Sequence, residues 1–201
     1  MRFKCELVIE RDGAIIYRGQ SRSFVKNFGI ILAGMLKNSG LGDATKYVTV
    51  VNTSGNNANA PIEDNIGSYY TNYSPMAFSS GDNDDSYGIV VGSGSTPVSP
   101  DNYALASKIP HGTGAGQIDY NTHTVTSSYS DTSSYVEISR SFTNRSGSDI
   151  IVCEVGLIAR SYNSYRNVDI RVLVARDVLP NPIVVPNLSS LTVRYRISLS
   201  L

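Results

Sequence analysis

The fold is decided by the run IIVCEVGLIA at residues 150–159, a strongly apolar stretch of the chain. Its length and its β-branched content predict a buried strand. Neighbouring side chains of a strand point to opposite faces of the sheet. One of the two faces is entirely apolar, and we expect it to lie against the core: Ile151, Cys153, Val155, Leu157 and Ala159.

The opposite face of this strand carries one carboxylate, Glu154, among apolar neighbours. A carboxylate in a buried setting needs a cation or several hydrogen-bond donors. Arg176 shares a face with Val172 and Val174 on a nearby predicted strand, and we predict that it pairs with Glu154. We interpret this pair as structural rather than catalytic.

Further sheet signals surround this run. Residues 136–142 and 191–201 alternate between apolar and polar side chains, 168–174 is β-branched, and Asn144-Arg145-Ser146-Gly147 predicts a tight turn. The pattern predicts a mainly β fold, an antiparallel β-sandwich or jelly-roll-like domain with one N-terminal α-helix. We expect one domain over the 201 residues, because β folds of this length are commonly single.

The single domain divides into three regions: 1–46, a hairpin plus a helix; 52–86, a long polar insertion loop; and 87–201, the main sheet region. In the first region, Asp12-Gly13 predicts a hairpin turn and Ser23 a helix N-cap. An apolar stripe at helical spacing is expected to pack in the core, with a docking helix for another chain as the alternative. The stripe consists of Phe24, Phe28, Ile31, Leu32 and Met35.

The region 52–86 is dominated by Asn, Ser, Gly and Tyr, a composition typical of adaptable contact surfaces. A loop of this length usually indicates function or disorder. Tyr69, Tyr70 and Tyr73 are therefore possible partner contacts, and a mobile surface loop is the alternative.

The charges balance, with 17 Lys and Arg against 17 Asp and Glu, but they are segregated along the chain. Residues 1–46 hold eight basic against four acidic residues, 47–137 hold one against nine, and 138–201 hold eight against four. The zero net charge argues against a nucleic-acid partner, which would require a basic surplus. Opposite patches could bring copies together, so we expect a homo-oligomer, although linear charge blocks can mix on folding.

Cys5 and Cys153 each lie within a predicted strand and are expected to be buried free thiols. No signal peptide is recognisable, because Arg2, Lys4 and Glu6 interrupt the N-terminus. The helix candidate at 24–36 is too short to cross a bilayer, which takes roughly 20 residues. We expect synthesis in a reducing cytoplasm and no membrane partner.

No motif for cofactor binding, metal binding or catalysis is complete in the sequence. Gly92-x-Gly94 begins like a dinucleotide fingerprint, but Pro97 occupies the third glycine position. The acidic run 82–86 suggests calcium but departs from the EF-hand pattern, so a solvated acidic loop is the alternative. His111 and His123 lie in polar, turn-rich sequence with no recognisable nucleophile motif. We predict no catalytic residue, cofactor or metal, and therefore no enzyme.

Several short motifs together carry a resemblance. They are IVVGSGSTP at 89–97 with Asp101 and Leu105 downstream, FTNRSG at 142–147, EVGL at 154–157 and LVARD at 173–177. The sequence resembles structural proteins of tailed bacteriophages and related viruses, which often show a "GTGTT-P" turn before a "D…L" segment, a "FTN-SG" hairpin and an "EVGL" strand. The resemblance covers roughly residues 87–201 and, more loosely, the N-terminal helix.

The resemblance implies a virion protein of the tail, baseplate or neck, with other virion proteins as partners. Its motif residues would be structural: Gly92, Gly94 and Gly156 beside Glu154 and Arg176. A capsid decoration protein is the alternative within this class. A receptor or glycan-binding module is the alternative from another class, since thirteen tyrosines could stack on sugars although tryptophan is absent.

Overall fold

Eleven strands and one helix form the part of the chain that the computed structural model describes, residues 2–21, 23–37, 47–62, 73–163 and 167–200. The helix is α1 (Lys26–Lys37), and no helix among these residues is long and apolar enough to span a membrane. The strands are β1 (Arg2–Arg11), β2 (Ala14–Gln20), β3 (Tyr47–Val51), β4 (Asn57–Pro61), β5 (Tyr73–Ala77), β6 (Gly88–Gly92), β7 (Asp119–Tyr129), β8 (Ser133–Thr143), β9 (Ile150–Asn163), β10 (Val168–Val185) and β11 (Ser190–Ser200).

The first sheet has the order β2-β1-β11-β8-β7, so its first and last strands in sequence are neighbours. All its pairings are antiparallel. The predicted β1–β2 hairpin is present, and Asp12 (φ 50°) and Gly13 (φ 82°) both take the left-handed conformation that suits the twist of a two-residue hairpin. The predicted mainly β, antiparallel fold with an N-terminal helix is confirmed.

The second sheet is built around β9, which pairs with β10 along one side and with β5 and β6 along the other. Buried side chains from both sheets form one core, in a sandwich-like arrangement. From the first sheet it contains Leu7, Ile9, Ile138, Val193 and Tyr195; from the second it contains Val91, Val152, Val155, Leu157 and Val174.

The prediction for the two faces of β9 was wrong at its start. Ile151, expected in the core, is 52% exposed, whereas Ile150 and Val152 are buried. The pairing with β10 is irregular at this point, where Val152 pairs with Ile183 but Glu154 pairs with Val178. The extra residues lie in β10, so β9 itself keeps its alternation, with Ile150 and Val152 buried and Ile151 exposed. Because both faces are apolar at this end, the sequence pattern does not show which of them is covered. From Glu154 to Ala159 both faces of β9 are buried.

The prediction for the packed face of α1 was right for Ile31, which is buried, and for Phe24 and Phe28, which pack against the core, but wrong for its last two residues. Leu32 and Met35 are more than a third exposed, and the buried positions are Asn27, Ile31 and Gly34. Gly34 lets the helix approach the β3–β4 hairpin, since a Cβ there would lie 2.6 Å from Cγ1 of Val48. The Asn27 side chain donates to the main-chain oxygen of Val51 and accepts from its nitrogen. A polar residue and a glycine thus share the packed face with Ile31, and apolar periodicity does not detect their part of it.

The region 52–86, predicted as one long polar loop, contains β4 and β5. β4 pairs with β3 in a separate two-stranded sheet, and β5 pairs with the end of β9. β4 reads NANAP, a composition disfavoured in strands, so its pairing comes from the neighbouring β3 rather than from its own propensity. Residues 63–72 lie outside the described part of the chain.

Candidate functional site

Glu154 lies in the middle of β9, with its side chain fully buried. The carboxylate accepts a hydrogen bond of 2.6 Å from Nε of Arg176. It also accepts three main-chain N–H bonds, from Gly94 (3.2 Å), Ala106 (3.1 Å) and Ser107 (2.8 Å). The pair predicted from the sequence is therefore present, and the carboxylate binds a loop as well as a cation.

Arg176 on β10 is equally buried and uses its remaining nitrogens on the same loop. Nη2 donates to the carbonyl oxygen and the hydroxyl of Thr96, at 3.0 and 3.1 Å. Nη1 donates to Oδ1 of Asn102 at 3.0 Å and to the carbonyl oxygen of Pro97 at 3.4 Å. We call Glu154, Arg176 and the loop groups that they bind, within residues 93–107, the clamp.

The three glycines predicted to be structural all border the clamp. A Cβ on Gly94 would lie 2.5 Å from Oε1 of Glu154, and one on Gly92 would lie 2.7 Å from the same atom. A Cβ on Gly156 would lie 2.3 Å from Cδ1 of Leu105. Their role is to make room for the buried carboxylate and for the loop, because real Cβ atoms do not approach other atoms this closely.

Arg140 on β8 forms a second buried cationic site, which the sequence did not reveal. It is 1% exposed, and it donates only to main-chain oxygens: Asn121 (2.7 Å), Tyr87 (3.4 Å), Ile89 (3.2 Å), Gly81 (3.3 Å) and Asp84 (2.7 Å). Its guanidinium also lies 4.7 Å from the ring centroid of Tyr120. Burial lowers the pKa of Arg140 to about 10. The only available signal was an arginine at an inward position between Ile138 and Phe142.

His123 lies in the same region, and its two ring nitrogens are both bonded. Nε2 accepts from the main-chain N–H of Ile89 at 2.5 Å, so Nδ1 carries the proton and donates to Oγ of Ser80 at 2.7 Å. Burial, together with the charge of Arg140, lowers the pKa of His123 to about 3. The imidazole is neutral at physiological pH. We call Arg140, His123 and their partners the Arg140 cluster.

The other histidine, His111, bonds to a different group: its Nδ1 accepts from the main-chain N–H of Tyr120 at 3.3 Å. The acidic run 82–86 is bonded within the protein. Asp82 accepts from Thr122, Asp84 from the main chain of Ser86, and Asp85 from the main chain of His111 and from Lys108. Among the described residues, no group of three or more acidic, histidine or cysteine side chains is arranged to hold a metal.

Asp177, next to Arg176 on β10, is a buried carboxylate that sequence reasoning also missed. It accepts from Oγ of Ser21 at 2.9 Å and from the hydroxyl of Tyr195 at 2.8 Å. Burial raises the pKa of Asp177, and the same environment raises the pKa of the Cys5 thiol to about 11. Cys5 is a buried free thiol, as predicted, whereas Cys153 is half-buried.

The three tyrosines proposed as partner contacts contribute no described geometry. Tyr69 and Tyr70 lie outside the described residues, and Tyr73 is described only as the first backbone position of β5. Comparison with known proteins adds no relative: no protein-family model, curated protein or solved structure matches the chain.

Proposed function

We propose that this protein is a non-enzymatic structural subunit of a virus particle, assembling through protein–protein contacts in the tail, baseplate or neck. One observation carries the proposal. Three of the four sequence segments that resemble virion proteins meet at the clamp, although they are far apart along the chain. Residues 92–97, 101–105, 154–157 and 173–177 each place a group there. These motif segments therefore contribute to one buried cluster of hydrogen bonds, the clamp.

The FTNRSG motif, which lies between β8 and β9 and away from the clamp, supports the same interpretation. The Asn144 side chain is fully buried, and its Nδ2 donates to the carbonyl oxygens of Ser148 and Val185. Its Oδ1 accepts from the main chain and the hydroxyl of Ser146. This residue fixes the β8–β9 connection against the end of β10. A subunit that must present the same surface in every copy requires loops held in this way.

The polar side chains that could act in catalysis or ligand binding support a structural role as well. Both nitrogens of His123 are bonded within the fold, and the carboxylate of Glu154 accepts from four donors. Arg176 uses all three of its nitrogens on Glu154 and the loop. Each of these groups already has the partners that a substrate would otherwise supply.

The test is the composition and density of purified particles. Peptide mass spectrometry of particles from infected cells should detect this chain at a fixed copy number, and a density map should place it at symmetry-related positions. Absence from purified particles would contradict the proposal. Binding of the isolated protein to a glycan array, without co-sedimentation with particles, would favour a receptor or glycan-binding module instead.

A further inference from the structure

Strand β7 forms one edge of the first sheet, and this edge is covered over only half of its length. The main-chain oxygen of Tyr120 accepts from the N–H of Asn83, and the N–H of His123 donates to the oxygen of Ser80. From Thr124 to Tyr129, no described strand pairs with the free side of β7. This second half is an open sheet edge.

The open edge lacks the features that usually prevent strands from pairing. Residues 124–130 read TVTSSYS, with no charge and no proline. Natural edge strands are commonly protected by charged side chains, prolines or bulges. The opposite edge strand of the same sheet, β2, is irregular and carries Arg18, and β10 in the second sheet carries Pro180 and Pro182. The β7 edge is therefore suited to accept another strand.

The direction of the main-chain groups on this edge follows from the existing hydrogen bonds. His123 donates its N–H away from β8, to Ser80, whereas Ser130 donates its N–H towards β8, to Ser133. The β7–β8 pairing is regular from His123 to Tyr129, so the direction alternates with each residue. Val125, Ser127 and Tyr129 thus direct their N–H and C=O groups outward.

We propose that this edge pairs with the same edge of a second copy of the chain, antiparallel and around a two-fold axis at Ser127. In this register each Val125 faces Tyr129 of the second copy, and the two Ser127 residues face each other. Every pair then uses outward-directed groups on both sides and exchanges two hydrogen bonds. A shift of two residues in either direction leaves one of the three outward residues without a free partner, so the register is specified by the pattern of donors.

The side chains agree with this register. Val125 is 47% and Tyr129 84% exposed, and both point to the face of the sheet that carries the core residue Ile138. Pairing a β-branched side chain with an aromatic one directly across two strands is favourable. The segment 124–130 is uncharged, so two copies meet without the like-charge repulsion that a charged edge would produce.

A second copy is the occupant that these observations favour, because the donor pattern of 124–130 is complementary to itself. An edge of seven residues buries less than the roughly 1,200 Å² of a typical stable interface. The contact is therefore weak in isolation and gains strength where several contacts act together. The inference rests on the proposed function for its biological setting, and it names a contact through which the subunits would associate.

The decisive variant is Ser127→Pro, tested by sedimentation over a range of concentrations. Proline removes an outward N–H that bonds to none of the described residues, so the melting temperature should stay unchanged. Two hydrogen bonds of the pair are lost, which should weaken self-association about thirtyfold. Ser127→Thr keeps the N–H and should associate like the wild type. Equal association of wild type and Ser127→Pro, or a wild-type monomer at all concentrations, would overturn the inference.

Cross-linking tests the register itself. Ser127→Cys should form a covalent dimer on mild oxidation, because the two residues face each other within disulfide reach. Ser128→Cys is the matched control: its counterpart is displaced by two residues, about 8 Å away, beyond that reach. The wild-type protein, oxidised in the same way, shows any cross-linking through Cys5 or Cys153. Equal cross-linking of the two variants, or none in Ser127→Cys, would exclude this register.

The two proposals fail in different ways. If the chain is found in particles but Ser127→Pro associates like the wild type, the edge contact is wrong and the structural function stands. If the chain pairs through Ser127 in solution but is absent from particles, the contact stands and the virion function is wrong. A different protein bound along β7 in a particle map would overturn the second copy as occupant.

Discussion

The clamp and the Arg140 cluster each bury an arginine almost completely, but they compensate its charge in different ways. Arg176 bonds to the carboxylate of Glu154, whereas Arg140 bonds to five main-chain oxygens and no carboxylate. A single substitution can therefore leave Arg176 without its counter-charge. Among the described residues, no single side chain holds Arg140 in that way. Two buried cations of the same type thus depend on a side chain in one place and on backbone geometry in the other.

The largest expected effect comes from Glu154→Ala, which leaves the buried Arg176 uncompensated. We expect a loss of about 3–5 kcal/mol in the free energy of unfolding, measured by denaturant titration. The control is Asp101→Ala, which removes an exposed ion pair with Lys26 and should cost less than about 1 kcal/mol. Similar losses in the two variants would contradict the account of the clamp.

Acid should weaken the Arg140 cluster through His123. The pKa of His123 is lowered to about 3 in the fold, below the roughly 6.5 of an unfolded histidine. The unfolded chain binds the proton first, so stability is present above pH 6.5 and falls progressively as the pH drops towards 3. The expected loss in the free energy of unfolding by pH 3 is about 4 kcal/mol.

The measurement is the free energy of unfolding as a function of pH, with His123→Gln beside the wild type. The variant should be less stable at pH 7 but should lack this part of the acid dependence. His111→Gln is the control: it leaves His123 in place and should keep the fall in stability that His123 causes between pH 6.5 and 3. If His123→Gln and the wild type have parallel profiles between pH 6.5 and 3, the neutral buried imidazole is not the cause.

A smaller loss of stability is expected when a Cβ is added to a glycine of the clamp, and none when it is added to a glycine of the Arg140 cluster. Gly94→Ala places a Cβ against Oε1 of Glu154 and should cost about 1–3 kcal/mol, because a well-packed interior must shift. Gly81, whose carbonyl oxygen accepts from Arg140, has nothing within 4 Å of a Cβ position. Gly81→Ala should therefore be neutral or slightly stabilising. Differential scanning calorimetry of the two variants checks this contrast, and a reversed order would refute it.

The smallest effect concerns Asp177, a buried carboxylate whose neighbours are hydroxyl groups. Because its pKa is raised by burial, its contribution to stability is present below the unfolded value near 3.9 and is lost as the pH rises through the folded value. Asp177→Asn should therefore raise the melting temperature slightly at pH 7. The gain should disappear below pH 4. A variant that melts below the wild type at pH 7 would show that the carboxylate is stabilised there.

The strands and the clamp pair were predictable because their signals are local. Alternation revealed β8 and β11, Asp12-Gly13 marked the turn of the β1–β2 hairpin, and the isolated acid in IIVCEVGLIA marked Glu154 as a residue that needs a cation. Arg140 was missed because arginine is rarely fully buried, although it shares the inward face of β8 with Ile138 and Phe142. The buried face of α1 was predicted only in part because Asn27 and Gly34 contribute to it, and the exposure of Ile151 was missed because both faces of β9 are apolar at this end.

Strand order could not be predicted, because it depends on contacts between distant parts of the chain. The alternation of β1 and β11 indicates which side chains face inward, but not that Arg2 lies opposite Ser200. The same applies to the clamp loop, which is irregular. Its conformation is determined by Glu154 and Arg176, which lie at least 45 residues further along the chain.

The adjacency of β1 and β11 also determines the order in which the protein can form during synthesis. The β1–β2 hairpin can close as soon as it leaves the ribosome, and β7 and β8 can pair much later, but β11 must be inserted between these two halves. The first sheet therefore stays divided until residues 190–200 emerge, and nascent chains that stall earlier expose two unprotected strand edges. Pairing between segments this far apart in sequence is slow, so the insertion of β11 is the step that completes the first sheet.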